Sequence, residues 1–179
     1  YVSYDTETAK IQPGLLTPEL VCGSLAKTLN VQEARLLTRN AALKSIRQLL
    51  EDEEVIVTGA NIAYDFGVVS NVEFDLLKLI FKAYASGRVH DIQIAQALDA
   101  IANGHLFKDP RTGAPIRGKK GKPGRYSLET CVSFVLGRLD AKSNDFWRQR
   151  YWILKDVPQD LWPEEARQYP KDDASNTLE

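Results

Sequence analysis

A short run of β-branched residues, EVIVTGAN at residues 54–61, lies between two stretches whose apolar residues recur at helical spacing, at 40–53 and 72–87. A run of this length that ends at a glycine, Gly59, is typical of a strand buried on both faces, as strands are in parallel sheets. Gly87 is expected to stop the second of these helices. The middle of the chain therefore predicts a helix–strand–helix unit of an α/β domain.

The flanking segments predict the rest of a mixed sheet. Two strands are expected before the first helix, at 1–7 and 18–27, with a weakly marked third strand nearby. A short strand at 88–91 leads into a helix at 92–103. Further helical stretches are predicted at 127–137, at 144–155 and from about Pro163. Because strands come first and then alternate with helices, we expect a mixed sheet covered by helices.

Composition limits the class of protein. The 179 residues are 44% hydrophobic and 26% charged, which fits one globular domain, 1–179. The net charge is −1, so the domain can bind nucleic acid only through local patches of positive charge. No apolar run approaches the roughly 20 residues that span a bilayer, and no signal peptide is evident. Cys22 and Cys131 lack metal-ligand spacing and are expected to be reduced thiols in the cytoplasm. Without an initiator methionine or a final helix stop, the chain is expected to be a fragment of a longer one.

Two acids lie one residue apart on the first predicted strand, in YVSYDTET. Residues i and i+2 of a strand point to the same face, so Asp5 and Glu7 project together and Thr6 projects to the other side. Two close carboxylates repel each other, and a divalent cation such as Mg²⁺ or Mn²⁺ removes that penalty. An isolated pair of this kind is more often two exposed acids on an edge strand, so the pair needs partners.

Candidate partners occur in two later stretches. GANIAYDFG places Asp65 just past the buried strand, where sites form at the carboxyl ends of strands, although Asp is also a common helix N-cap. RQYPKDDAS near the end of the chain contains Tyr169, Asp172 and Asp173. On a helix, both acids could share the face of the tyrosine.

The three motifs D-x-E, N-x-x-Y-D and Y-x-x-x-D occur in the order that resembles the DEDD superfamily of 3′–5′ exonucleases, in the subgroup with tyrosine in its third motif. More narrowly, the chain resembles the proofreading exonuclease domain of family A, especially phage-type, DNA polymerases, and the resemblance covers essentially the whole chain. It implies a ribonuclease-H-like fold: a mixed five-stranded sheet with helices on both faces. The implied activity is removal of 5′-monophosphates from 3′ ends of single-stranded DNA with two divalent metal ions, Mg²⁺ or Mn²⁺.

The resemblance also implies roles in catalysis. Asp5 would bridge two cations, and Glu7 and Asp173 would complete the shell of the first. Asp65 would hold the second cation, directly or through water. Tyr169 would orient the attacking water, since a tyrosine with a pKa near 10 is a poor general base at neutral pH.

Substrate contacts follow from the same resemblance. Asn61 and Tyr64 would shape the pocket for the terminal nucleotide, and Thr6 and Thr8 would offer it backbone N–H groups or hydroxyls. Ile11 lies where such domains place an apolar wedge against the last bases. The implied partners are 3′ ends of single-stranded DNA and a polymerase domain on the same or another chain, in the cytoplasm of a bacterial or phage-infected cell.

A basic insertion at 104–126 interrupts the pattern. FKDPRTGAPI suits a β-hairpin with its turn near Asp109–Gly113, and a flexible basic loop follows. Lys119, Lys120 and Lys122 are candidates for binding phosphates. The alternative is a solvated surface insertion with no role in binding.

Pro170 departs from the expected third motif, because proline removes a helical hydrogen bond and disfavours helical geometry at the residue before it. Tyr169 is therefore expected at a kink or in the turn before a new helix. Two other functions stay open: a 3′–5′ exoribonuclease with the same cutting residues, and a catalytically silent nucleic-acid-binding domain. A phosphatase with an Asp nucleophile fits poorly, because Glu7 stands where such sites usually need a second Asp.

Overall fold

The computed structural model describes residues 1–116, 126–138 and 145–179. Five strands form one sheet in the order β3-β2-β1-β4-β5. The pairs β1–β2 and β2–β3 are antiparallel, whereas β1–β4 and β4–β5 are parallel. The strands are β1 Val2–Thr8, β2 Leu20–Ala26, β3 Arg35–Thr38, β4 Val57–Gly59 and β5 Val89–Asp91. The predicted mixed five-stranded sheet is confirmed, and the weakly marked strand is β3.

The described helices cover both faces of the sheet. The helices are α1 Arg39–Glu51, α2 Ile62–Val72, α3 Leu76–Ala85, α4 Ile92–Ala102, α5 Leu128–Cys131, α6 Asp145–Arg148 and α7 Glu164–Leu178. α5 continues as a π-helical turn over Val132–Leu136, and single 3₁₀ turns occur at Val31–Glu33, Tyr151–Leu154 and Gln159–Leu161. No helix among these residues is long and apolar enough to cross a membrane.

Apolar side chains from both faces of the sheet form the core. On one face, Tyr4 belongs to a cluster with Ile46 of α1 and Phe66 of α2. On the other face, Cys22 of β2 packs in a cluster with Ala166 of α7. The sheet is therefore a middle layer, and β1 is its central strand.

α2 is the element that the sequence prediction missed. The segment IAYDFGVVSNV contains Asn, Asp, Gly and Ser, which favour turns, and a single later helix was expected at 72–87. The structure instead forms α2 and then α3, which ends before Gly87 at φ 69° as expected. The buried residues Ile62, Phe66 and Val69 recur at helical spacing, so the signal was present beneath the polar residues.

The predicted helix at 144–155 is also divided. α6 ends at Arg148, and a 3₁₀ turn begins at Tyr151 after a non-helical Arg150 at φ −129°. The side chain of Tyr151 is fully buried, and its hydroxyl donates a hydrogen bond to the carbonyl of Ala166 at 2.9 Å. This hydrogen bond to α7 accounts for the break between α6 and the 3₁₀ turn, although the sequence of this stretch predicts one continuous helix.

The start of the basic insertion is a tight hairpin, as expected. Lys108 and Pro115 form an antiparallel bridge, the Asp109 N–H donates to Ala114 O at 2.8 Å, and the Gly113 N–H donates to Asp109 O at 2.8 Å. Gly113 has φ 69°, a conformation that glycine adopts without strain. The three lysines proposed to bind phosphate, Lys119, Lys120 and Lys122, lie outside the described residues.

Pro170 does not interrupt the last helix. α7 runs from Glu164 to Leu178 with Pro170 inside it and buried, so the expectation that Tyr169 lies in a turn before a new helix is wrong. Tyr169 and Asp173 therefore lie one turn apart on a single helix, on the same face.

Candidate active site

The carboxyl ends of three parallel strands meet at one edge of the sheet. β1 ends near Glu7, β4 is followed by Asn61, and β5 ends at Asp91. α7 crosses β1 and β2 on one face of the sheet and brings Asp173 to this edge. In open α/β sheets such an edge is where functional sites form.

Three carboxylates converge here. One oxygen from each of Asp5, Glu7 and Asp173 lies within 4.8 Å of the other two. Glu7 is only 7% exposed. The predicted projection of Asp5 and Glu7 to one face agrees with this arrangement, and the trio is a set of hard oxygen donors that suits Mg²⁺ or Mn²⁺.

Asp65 approaches the same edge from the opposite face of β1. Asp65 is buried in the first turn of α2. The N-cap of that helix is Asn61 rather than Asp65. The Thr6 N–H donates to Asp65 Oδ1 at 2.9 Å, and the Thr6 hydroxyl donates to the same oxygen at 2.6 Å. Both Thr6 donors that were expected to face a nucleotide are engaged by Asp65. We therefore reassign Thr6 to holding Asp65.

Asp91 holds the start of α2 in place beside the acids. Asn61 has left-handed backbone angles, φ 65° and ψ 47°, which are uncommon for a residue with a side chain. Asp91 Oδ1 accepts from the Asn61 N–H at 3.2 Å, and Oδ2 accepts from the Ile62 N–H at 3.0 Å. Asp91 also caps α4 by accepting from the Gln93 N–H at 2.9 Å. One carboxylate thus joins two helix starts beside the acids.

A cavity of about 380 Å³ contains the acidic trio. All ten of the predicted site residues that the structure describes line it: Asp5, Thr6, Glu7, Thr8, Ile11, Asn61, Tyr64, Asp65, Tyr169 and Asp173. Ile11 is 64% exposed, and the hydroxyls of Thr8 and Tyr64 lie 2.9 Å apart in a hydrogen bond. The sequence motifs therefore converge on one space.

The cavity has further lining residues that sequence reasoning did not select: Ala60, Gln93, Ser127, Leu128, Glu129 and Arg148. Arg148 is the informative one, because it brings a positive charge beside Glu7 and Tyr169. The stretch DFWRQRYW, in which two arginines lie between two pairs of aromatic residues, was a usable signal for a nucleic-acid contact.

A second, larger cavity of about 430 Å³ lies away from the trio, between α4, α5 and the end of α7. Its walls include Ile92, Val132, Val135 and Leu178 and are mainly apolar. It lacks the convergent carboxylates, so we place the chemistry in the smaller cavity.

Burial and crowding shift the pKa values of the site. Burial raises the pKa of Glu7 well above its usual value, and the charges of Asp5 and Asp173 raise it further, while Arg148 acts in the opposite direction. Burial also raises the pKa of Asp65 to about 7, against the hydrogen bonds from Thr6 that lower it. The site thus concentrates negative charge that a divalent cation would relieve.

The tyrosine of the third motif is held in its protonated form. Burial raises the pKa of Tyr169 far above 10, and the nearby charges of Asp173 and Glu7 raise it further. At neutral pH its hydroxyl therefore keeps its proton and can donate or accept a hydrogen bond, but it cannot act as a base.

The structure also distinguishes the two neighbouring acids of the third motif. Asp173 belongs to the trio, whereas the Asp172 side chain accepts a hydrogen bond from Gln168 Nε2 at 2.7 Å along the helix. The predicted Y-x-x-x-D spacing thus selects the acid that faces the other carboxylates.

Asp65→Asn should stabilise the metal-free protein at high pH. A carboxyl whose pKa rises on folding from about 3.9 to about 7 contributes stability below pH 4, and that stability is lost as the pH rises through 7. Asn keeps the oxygen that accepts from Thr6 and removes the charge. In chelator we expect the melting temperature to rise by about 3–10 °C at pH 8 and by little at pH 4.5.

The exposed Asp156→Asn is the control for this measurement and should show no such dependence. A gain in melting temperature that is the same at both pH values would contradict the charge explanation for Asp65.

Comparison with known proteins supports the fold. The chain superposes on the crystal structure of the Nibbler EXO domain from Aedes aegypti with a TM-score of 0.58 and 14% sequence identity, over 99% of this chain and 73% of that one. No protein-family model matches the sequence, and no curated protein matches it. At this identity the likeness shows a shared fold.

Proposed function

We propose that this domain is a divalent-metal-dependent 3′–5′ exonuclease that hydrolyses the terminal phosphodiester of single-stranded DNA and releases 5′-monophosphates. The observation that carries the proposal is the convergence of Asp5, Glu7 and Asp173 within 4.8 Å, in a cavity that also contains Asp65 and Tyr169. The fold shared with an EXO domain supports the same function.

The donor set fits divalent cations. Asp5, Glu7 and Asp173 would hold one, and Asp65 with Asp5 would hold a second. Two such cations supply the positive charge that activates a water molecule and stabilises the leaving oxygen in phosphodiester hydrolysis. Thr6 contributes by keeping one oxygen of Asp65 fixed against β1, which leaves the other carboxylate oxygen available to the cavity.

Tyr169 would orient the attacking water. Its hydroxyl is protonated at neutral pH and lies on the same helix as Asp173, one turn away. A hydroxyl in this position can accept from or donate to a water beside the trio without removing its proton. Positioning of this kind lowers the barrier by restricting the nucleophile to a reactive geometry.

The walls of the cavity would bind the terminal nucleotide. Asn61, Tyr64 and Thr8 offer neutral polar groups from one side, and Ile11 offers an exposed apolar side chain at the rim. The volume of about 380 Å³ lies in the range of small-ligand sites. In a proofreading role, a polymerase domain on this chain or another would deliver the 3′ end to the cavity.

Arg148 would bind a backbone phosphate. It is the only cationic residue among the described residues that line the cavity, against five acids: Asp5, Glu7, Asp65, Glu129 and Asp173. A guanidinium presents paired donors that match phosphate oxygens. An anionic strand that enters an acidic cavity needs such a contact in addition to the cations.

Arg148→Ala should lower kcat/KM on single-stranded DNA by about tenfold or more, because a charged hydrogen bond contributes about 1.5–3 kcal/mol. It should also reduce the slope of log KM against log salt by about 0.7, the value for one phosphate contact on a single strand. Arg148→Lys should recover the salt slope and only part of the rate. Both quantities are measured from oligonucleotide turnover at several salt concentrations.

Arg150→Ala is the matched control, because the Arg150 guanidinium lies 3.8 Å above the Phe146 ring and does not line the cavity. An equal loss of kcat/KM in the two alanine variants would contradict a specific role for Arg148.

The proposed activity is tested on matched single-stranded DNA and RNA oligonucleotides labelled at the 5′ end, with Mg²⁺ or Mn²⁺ or with chelator. We expect stepwise shortening from the 3′ end that requires the cation and is faster on DNA. Full activity in excess chelator would contradict the proposal. Faster cutting of RNA would identify an exoribonuclease, and binding without cutting would identify a silent binding domain.

A further inference from the structure

The backbone of α7 carries a defect at Pro170. An α-helix bonds the N–H of each residue to the carbonyl four positions earlier, and proline has no N–H. The carbonyl of Ala166 therefore cannot accept a bond from position 170. Ala166 is fully buried, and an unpaired carbonyl in such surroundings is costly.

Tyr151 supplies a donor to that carbonyl. The Tyr151 hydroxyl donates to Ala166 O at 2.9 Å. Tyr151 is 0% exposed, and its ring packs against the Trp162 ring, with 6.0 Å between the ring centroids. The hydroxyl is thus held in place by the surrounding aromatic side chains.

The same side chain contacts the site tyrosine. The centroids of the Tyr151 and Tyr169 rings lie 6.3 Å apart, with 42° between their planes. Tyr169 directly precedes Pro170, and Asp173 follows it by three residues, so the defect lies between two groups that face the cavity. Tyr151 itself does not line the cavity.

We propose that Tyr151 is a positioning residue whose hydroxyl replaces the backbone N–H that Pro170 lacks, and that it thereby keeps Tyr169 and Asp173 in register on one helix. The inference rests on the proposed function for its effect on catalysis. It assigns to Tyr151 a contact with the backbone and with the Tyr169 ring, and no contact with substrate.

Tyr151→Phe tests the inference, because it keeps the ring and removes the donor. On protein shown to be folded, kcat on single-stranded DNA should fall by about tenfold, while KM changes by less than about threefold because α2 and β1 form most of the nucleotide-binding wall. Pro170→Ala restores an N–H at position 170. In the Tyr151→Phe background, Pro170→Ala should therefore return kcat to within about threefold of the Pro170→Ala single variant.

Tyr4→Phe is the matched control. The Tyr4 side chain is also 0% exposed, and its hydroxyl donates to the carbonyl of Ala42 at 3.3 Å. In α1 the residue four positions after Ala42 is Ile46, which keeps its own N–H, so no carbonyl is left without its helical donor. Tyr4→Phe should leave kcat within about twofold of wild type.

Wild-type kcat in folded Tyr151→Phe would overturn the inference, as would a double variant that stays as impaired as Tyr151→Phe. If Tyr151→Phe does not fold, recovery of folding by Pro170→Ala supports the inference and failure to recover overturns it. An inert wild-type protein would instead overturn the proposed function. The coupling of Tyr151 to Pro170 is then still measured by metal-free unfolding of the four variants in the cycle.

Discussion

Asp173→Asn should abolish both turnover and the stabilisation of the domain by divalent cations. The carboxylate of Asp173 is one of three within 4.8 Å, and the amide of Asn lacks the charge that a cation needs. We expect kcat to fall by at least about a thousandfold, which corresponds to about 4 kcal/mol. Thermal unfolding with and without Mn²⁺ gives the second measurement, and the rise in melting temperature with Mn²⁺ should disappear.

Asp172→Asn is the control for Asp173→Asn. The two residues are neighbours on α7, but Asp172 accepts from Gln168 and does not belong to the trio. Its replacement should change kcat by less than about threefold. If Asp172→Asn abolished activity and Asp173→Asn spared it, the third motif would be assigned one residue too late.

Tyr169→Phe should lower kcat without weakening cation binding. The substitution keeps the ring that packs against Tyr151 and removes only the hydroxyl. If the hydroxyl aims the water, positioning worth about 1.4–4 kcal/mol corresponds to a factor of about ten to a thousand in kcat. Because burial and nearby acids raise the pKa of Tyr169 far above 10, the pH profile between 6 and 9 should keep its shape in the variant.

The Mn²⁺-induced rise in melting temperature separates this role from ligation. It should be the same in Tyr169→Phe and in wild type. A loss of this rise together with kcat would show that the hydroxyl supports cation binding, and an unchanged kcat would remove Tyr169 from the mechanism.

Much of the fold followed from local pattern. A strand within 54–61, the helix stop at Gly87 and the hairpin turn at Asp109–Gly113 depend on residues close in sequence, and each is present in the structure, the strand as the shorter β4. α2 was missed because polar residues typical of turns are interleaved with its apolar face, and burial against the sheet outweighs their preference.

The residues of the site that belong to short sequence motifs were predictable from the sequence. The acids, the tyrosine and Asn61 occur at fixed spacings, and the structure places them around one cavity. The supporting contacts were not predictable in this way. The hydrogen bond that Thr6 donates to Asp65 and those that the start of α2 donates to Asp91 join residues about 30 to 60 positions apart, and no local spacing encodes them.

Pro170 shows how a local rule can fail for a physical reason. The rule that proline breaks a helix assumes that the orphaned carbonyl has no other donor. Here Tyr151, 15 residues away from Ala166, provides one inside the core. The break expected at Tyr169 is absent because tertiary structure supplies what the helix lacks.

The position of the acidic trio has a consequence for how the domain is made in a cell. Asp5 and Glu7 lie on β1, the first strand of the domain, whereas Asp173 lies on α7, the last of the described helices. Contacts between such distant segments form late, after α7 has emerged and packed on β1. A nascent chain from which α7 has not yet emerged therefore lacks the third acid of the trio. If the proposed activity is correct, the order of synthesis keeps the nuclease silent until the domain is complete.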